Sequence, residues 1–234
     1  MTKKAQIKKR RLDLEVMRIV AIIFVIFNHV NYKGYLLFAE CDPGTPQYWI
    51  YSFISILCKM AVPVFFAISG ALLLGKQDTR KTWLNRIIRM MVVLIVVSLG
   101  YYIFNCVREG IGFNFKSFLK LLYSSNVEFH LWYLYAYLAF LISLPILRAL
   151  VKGIGRNKKI YIYTILVALF IVGIIPAVDW LLFKGKVFMN SNVKPGWIAY
   201  NIFLYPIIGY YLDKFFKITK ERVLLLWVLN TICI

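Results

Sequence analysis

The sequence predicts an all-α fold, a polytopic bundle of transmembrane helices, and three observations support it. Hydrophobic residues make up 61% of the 234 residues, and the mean hydropathy is +0.71. Apolar runs of membrane length recur along the chain, and short basic segments separate them. A soluble domain has too little polar surface to cover such a composition, so we expect an integral membrane protein in which residues 1–234 form one domain.

Apolar length places about seven spans along the chain, because a hydrocarbon core of about 30 Å requires about 20 apolar residues per helix. The candidate spans are 12–32, 49–74, 88–107, 130–150, 160–180, 196–212 and 223–234. The last of them reaches only about 18 Å at 1.5 Å per residue. We therefore expect the sequence to end inside a helix.

Basic residues orient these spans. With the N-terminus in the cytoplasm, 20 Lys and Arg side chains fall on the cytoplasmic side and 7 on the other. This bias follows the positive-inside rule, so we expect a multi-pass protein of the inner or plasma membrane with a cytoplasmic N-terminus. The net charge of +19 then reports membrane orientation, and no nucleic-acid partner is expected. The four cysteines have no ligand-like spacing, so no metal site is expected.

The first span carries ionisable side chains at both ends. Arg18 and His29 are 11 residues apart, which returns to within about 20° on a helix and places both on one face, about 16 Å apart along the axis. Glu15 precedes Arg18 by one turn and can pair with it. The alternative is that Arg18 anchors the helix at the lipid headgroups and His29 marks its outer end.

Other polar residues lie in or beside the later spans. Arg86 and Arg89 share one face of the third span, where two guanidinium groups suit phosphate oxygens or simply anchor the helix. Lys59 falls near the middle of the second span and requires a partner or water. Ser69 and Gly70 mark a point for close helix approach.

Five motifs in order resemble the acyltransferase-3 family of membrane acyltransferases. Glu15-x-x-Arg18, ten residues and His29 match the family's first helix, and four further stretches follow it. They are VPVFFAISGALLL (62–74), RIIR (86–89), HLWYLYAYLAFLISLP (130–145) and YPIIGYYLDKF (205–215). The chain differs in having Glu15 where the family usually has Asp, and in length: family members commonly have about ten helices, so we expect a truncated bundle.

The resemblance implies an O-acyltransferase without a tightly bound cofactor. The donor would be acyl-CoA, usually acetyl-CoA, and the acceptor a hydroxyl of an extracytoplasmic carbohydrate, lipid-linked glycan or cell-envelope polymer. His29 would be the general base or an acyl-histidine relay, and Arg18 would stabilise the oxyanion. Glu128 would be the first candidate for orienting His29, and His130 would be the second.

The resemblance also implies that Arg86 and Arg89, in the RIIR motif, bind the coenzyme A phosphates. Two other classes of function remain open. They are a transporter whose path is lined by Arg18, Lys59 and His29, and a non-catalytic membrane sensor or anchor domain.

Overall fold

The computed structural model describes residues 11–30, 34–170, 174–184, 200–216 and 219, and these residues form helices and turns with no strand among them. Nine α-helices follow one another in the described part. They are α1 (Leu12–His29), α2 (Pro46–Lys59), α3 (Ala61–Leu73), α4 (Arg80–Glu109), α5 (Phe115–Ser124), α6 (Trp132–Ile154), α7 (Lys158–Leu169), α8 (Ile175–Phe183) and α9 (Tyr205–Phe215). Short helical turns cover Gly34–Glu40, Phe129–Leu131 and Tyr200–Leu204.

Three helical segments of the described chain are long and apolar enough to cross a membrane. They are Pro46–Leu73, Arg80–Glu109 and Phe129–Ile154. These correspond to the predicted spans 49–74, 88–107 and 130–150, and the expectation of about seven spans is not confirmed.

The other predicted spans are not among these three segments. Helix α1 has 18 residues and carries three charged side chains, Asp13, Glu15 and Arg18, in its N-terminal half. Within the span 160–180 the structure describes parts of α7 and α8, of 12 and 9 residues, and 171–173 lie outside the described residues. The described part of 196–212 is a π-helical turn that leads into α9. The prediction for 223–234 lies outside the described residues.

Prolines and side-chain caps set several helix boundaries. Thr45, Thr79 and Asn114 accept hydrogen bonds from backbone N–H groups in the first turns of α2, α4 and α5. Gly110 ends α4 in the left-handed conformation, with φ of 68°. Pro63 has no N–H for the carbonyl of Lys59, and the long segment breaks at Met60 between α2 and α3.

This break changes the position expected for Lys59. Lys59 is exposed at the C-terminal end of α2 rather than in the middle of an unbroken helix. A cation is favourable there because it complements the helix dipole. The carbonyl of Cys58 beside it accepts a hydrogen bond of 3.0 Å from the side-chain amide of Asn28, which links α2 to α1.

Helices α3 and α9 pack backbone to backbone. A Cβ on Gly70 would collide with the backbone of Pro206, and one on Gly209 would collide with the backbone of Ala67. The predicted close approach at Gly70 is therefore confirmed, and Ser69 is a buried packing residue whose hydroxyl bonds to the carbonyl of Phe65. The main apolar core lies where α3 and α9 meet α6 and α7. Its fully buried members include Phe66, Phe140, Leu144, Leu147 and Tyr161.

Candidate active site

The two histidines of the chain lie together at one end of the helices. His29 ends α1 and His130 lies in the turn before α6, and their ring centroids are 5.6 Å apart. The ring of Tyr101, on α4, packs edge-on against His130 at 4.9 Å. His29 is exposed and His130 is half-buried. We call His29 and His130 the histidine pair; it offers two imidazoles for proton transfer at one point.

Glu128 has a different partner from the one expected. Its carboxylate accepts a hydrogen bond of 2.7 Å from the side-chain amide of Asn105 on α4. The ring that lies against His29 is that of His130, and the predicted role of Glu128 in orienting His29 stays a prediction. Glu128 instead fixes the turn before α6 to α4, one turn from Tyr101.

Arg18 and Glu15 are both half-buried on α1. The positive charge of Arg18 acts electrostatically on Tyr133, in the first turn of α6. Tyr133 is stacked on Tyr137, with centroids 5.9 Å apart. Arg18 is therefore partly shielded by the bundle rather than fully exposed. Its predicted pairing with Glu15 stays a prediction.

A second polar cluster, the Asp78 cluster, lies at the opposite end of α6 and consists of Asp78, Arg86 and Arg148. Asp78 belongs to the connection between α3 and α4. Both terminal nitrogens of Arg86 donate to its carboxylate, Nη2 at 3.2 Å from Oδ1. Arg148 donates from Nη2 to Oδ2 at 2.6 Å. The side chain of Asp78 is only 9% exposed, so this is a shielded, multiply bonded ion cluster.

Arg148 also caps the C-terminal end of α3. Its Nε and Nη2 donate to the carbonyl oxygen of Leu73 at 3.1 and 3.0 Å. Leu73 is the last residue of α3, where carbonyl groups lack partners within the helix. A cation at this position satisfies a carbonyl and complements the helix dipole.

Burial opposes ionisation of Asp78, but the hydrogen bonds and charges of Arg148 and Arg86 outweigh it. The pKa of Asp78 is therefore held below its ordinary value. The carboxylate stays charged at neutral pH and keeps the two guanidinium groups close together.

A cavity of about 620 Å³ opens beside the Asp78 cluster. Four cationic side chains and one carboxylate line it: Lys76, Arg80, Arg148, Lys152 and Asp78. Trp83, Pro145 and Tyr210 supply apolar and aromatic wall. We call this cavity the basic pocket; its charge suits a ligand that carries several negative charges.

One wall of the basic pocket depends on a proline. Pro145 inside α6 has no N–H for the carbonyl of Leu141, and the indole Nε1 of Trp83 donates to that carbonyl at 2.7 Å. The bond fixes α4 to α6 and sets the ring of Trp83 against the pocket. An otherwise unsatisfied backbone group in the bundle is thus compensated from a neighbouring helix.

The two predicted phosphate-binding arginines differ in environment. Both terminal nitrogens of Arg86 bond to Asp78, whereas Arg89 is exposed on α4. The predicted roles of both stay predictions. Sequence reasoning missed Asp78 and Arg148. One signal was available for Asp78, which is the one acidic residue in the basic segment 76–89.

The histidine pair and the basic pocket are separated by most of one helical segment. Arg148 follows His130 by 18 residues within Phe129–Ile154, which corresponds to about 27 Å at 1.5 Å per residue. That distance is close to the thickness of a bilayer core, about 30 Å. The histidine pair and the basic pocket therefore lie at opposite ends of a candidate transmembrane helix.

These features define an α-helical membrane protein with a polar site at each end of α6. The model of the acyltransferase-3 family, described as an acyltransferase domain, matches residues 11–231. The chain belongs to this family and is a membrane acyltransferase. Comparisons with curated proteins and with solved structures give no match.

Proposed function

We propose that the chain transfers an acyl group, acetyl in the simplest case, from acyl-CoA to a hydroxyl of an extracytoplasmic carbohydrate or other cell-envelope acceptor. The observation that carries this proposal is the placement of the basic pocket and the histidine pair at the two ends of α6, about 27 Å apart. Donor and acceptor then approach from opposite sides of the membrane. The basic pocket faces the cytoplasm, where acyl-CoA is made.

The basic pocket binds the phosphate groups of the donor. Arg80, Arg148 and Lys152 place positive charge on its walls, and Trp83 and Tyr210 provide flat surfaces for an aromatic base. The thioester lies at the far end of the long pantetheine arm. The arm extends along the bundle toward Arg18 and Tyr133.

His29 removes the proton from the acceptor hydroxyl, and the hydroxyl oxygen attacks the thioester carbonyl. Arg18 lies about 16 Å from His29 along α1, between the base and the basic pocket, and its positive charge favours the negative charge that develops on the carbonyl oxygen. When the carbon–sulfur bond breaks, the coenzyme A thiolate leaves and takes the proton back from the His29 imidazolium. The products are the acyl ester and the free thiol, so atoms and charge balance without a further reactant.

The test is transfer of label from radiolabelled acetyl-CoA in membranes that contain the chain. His29→Ala should abolish transfer to extracytoplasmic material at matched expression. Lys116→Gln is the matched control, because Lys116 is an exposed ionisable residue on α5 and lies outside both polar sites. Equal transfer by wild type and His29→Ala, or none by the folded wild type, would contradict the proposal.

A further inference from the structure

Asp78, on the wall of the basic pocket, joins three segments that are separate in sequence. It lies in the connection after α3, and it binds Arg86 of α4 and Arg148 of α6. Its side chain is 9% exposed, so little of it is available to a ligand. Asp78 therefore acts on the pocket through the arginines that it holds.

Arg86 and Arg148 use different nitrogens for their hydrogen bonds, which leaves them different capacities to bind a ligand. Arg86 uses Nη1 and Nη2 on Asp78, which occupies the forked edge that would otherwise bind a phosphate. Arg148 uses Nε and Nη2 on Leu73 and Asp78. Its second terminal nitrogen, Nη1, is the donor with which this pocket-lining side chain can meet an anion.

Electrostatics explains why a carboxylate is required here. Arg86 and Arg148 both donate to the same oxygen of Asp78, Oδ2, so their positive charges lie close together. Without the shared carboxylate the two guanidinium groups would repel each other and move apart. Arg148 would then be held on the pocket wall only by its bonds to the carbonyl of Leu73.

We propose that Asp78 is the positioning residue of the basic pocket. It holds Arg148 toward the donor's phosphates, and Arg86 supports Asp78 by donating hydrogen bonds to its carboxylate. In its choice of ligand this inference rests on the proposed function, because the polyanion is taken to be acyl-CoA. It reassigns Arg86 from ligand contact to support of Asp78. The phosphate contacts then fall to Arg148 and to the other cations of the pocket, Arg80, Lys76 and Lys152.

The experiment measures binding of coenzyme A to the purified full chain by titration calorimetry at low temperature, where variants stay folded. Asp78→Asn should weaken binding by about tenfold or more, because the arginines lose their preorganised positions. Asp78→Glu retains the charge and should recover most of the affinity. The matched control is Glu109→Gln, which removes one carboxylate from an exposed pair with Arg108 at the other end of α4.

Kinetics separates positioning from a general structural role. Asp78→Asn should raise KM for acetyl-CoA and leave kcat within about twofold, since the histidine pair is about 27 Å away. Unchanged or tighter coenzyme A binding by Asp78→Asn would overturn the inference, because Asp78 would then be neutral or a competitor of the donor. A fall in kcat with KM unchanged would overturn it as well.

Inorganic pyrophosphate is the second probe, and it separates the two proposals. If the wild type binds pyrophosphate but not coenzyme A, the proposed donor is wrong, and the Asp78→Asn titration with pyrophosphate still decides the role of Asp78. If the wild type binds neither probe, both proposals fail. If it binds both and Asp78→Asn binds them equally well, only the inference about Asp78 fails.

Discussion

The two histidines are far apart in the sequence, but their rings meet at the start of α6. The spacing on α1 identified His29 as a candidate, since helix periodicity is a local property. The contact with His130 depends on how the packed bundle brings the end of α1 to the turn before α6, which no local pattern reports. For the same reason the sequence could not indicate which of Glu128 and His130 lies against His29.

Replacement of His130 by glutamine should lower kcat for acyl transfer by about tenfold or more, because one of two adjacent imidazoles is lost at the site of proton transfer. Coenzyme A binding should be unchanged, because the basic pocket lies at the other end of α6. Transfer kinetics and calorimetry on the same preparation check both statements. Tyr101→Phe keeps the ring contact with His130 and is the control. A His130→Gln enzyme with full kcat would show that His29 works without the second ring.

Asp78 should make the protein sensitive to acid. Its pKa is depressed in the folded state, so its contribution to stability is present above the unfolded value of about 4 and is lost as pH falls through the folded pKa. Between pH 7 and pH 3 the Tm of the wild type should fall more than that of Asp78→Asn. At pH 7 the variant should be less stable, since two arginines lose a shielded carboxylate. Parallel Tm curves for both proteins would contradict this.

At the scale of elements, the bond between Trp83 and Leu141 joins α4 to α6 across a gap that Pro145 creates. Trp83→Phe keeps the aromatic wall but leaves the Leu141 carbonyl without its donor, so the free energy of unfolding should fall by about 1–3 kcal/mol. In a Pro145→Ala background the Ala N–H can bond to that carbonyl. Trp83→Phe should then cost less, and denaturant titration of the double-mutant cycle measures the difference. Equal costs in the two backgrounds would mean that Trp83 acts through packing alone.

The contact between α3 and α9 leaves no space for side chains at its two glycines. Gly70→Ala should destabilise the protein severely, because its methyl group would meet the backbone of Pro206. Gly100→Ala on α4 is the matched control, since its added Cβ meets no atom of the described residues within 4 Å and alanine favours a helix by about 1 kcal/mol. Thermal unfolding in detergent compares the two. A Gly70→Ala protein as stable as wild type would show that the helices can separate at little cost.

The sequence predicted the long helical segments better than the points at which they are interrupted. Apolar length located the segments that contain Pro46–Leu73, Arg80–Glu109 and Phe129–Ile154, and small residues predicted the close approach at Gly70. The break at Met60 was not located, because whether Pro63 kinks or interrupts a helix depends on what satisfies the freed carbonyl groups. Here the amide of Asn28, on another helix, bonds to the adjacent carbonyl of Cys58.

At the scale of the whole molecule, the basic pocket could not be predicted because its residues come from three separate segments. The sequence showed that basic residues cluster near span ends, which positive-inside orientation already explains. The cavity forms when α4, α6 and α9 converge beside Asp78. Individual charges were visible in the sequence, and their convergence is a property of the packed bundle.

Orientation in the membrane is testable with single cysteines in a cysteine-free background. The bias of 20 basic residues against 7 predicts that the start of α4 lies in the cytoplasm and that the connection between α5 and α6 lies outside. A membrane-impermeant maleimide added to intact cells should label Asn126→Cys. It should label Lys81→Cys only after the cells are permeabilised. The reverse pattern would invert the proposed sides of donor and acceptor.

The separation of about 27 Å between the basic pocket and the histidine pair has an electrical consequence. Moving one elementary charge through a membrane potential of 100 mV involves about 2.3 kcal/mol. In the proposed reaction the phosphates stay in the basic pocket and only an uncharged acyl group reaches the far side, with the proton returned to the thiol. The voltage across the membrane then does little net work on the transfer, so the enzyme can modify the outer surface at the same driving force in energised and de-energised cells.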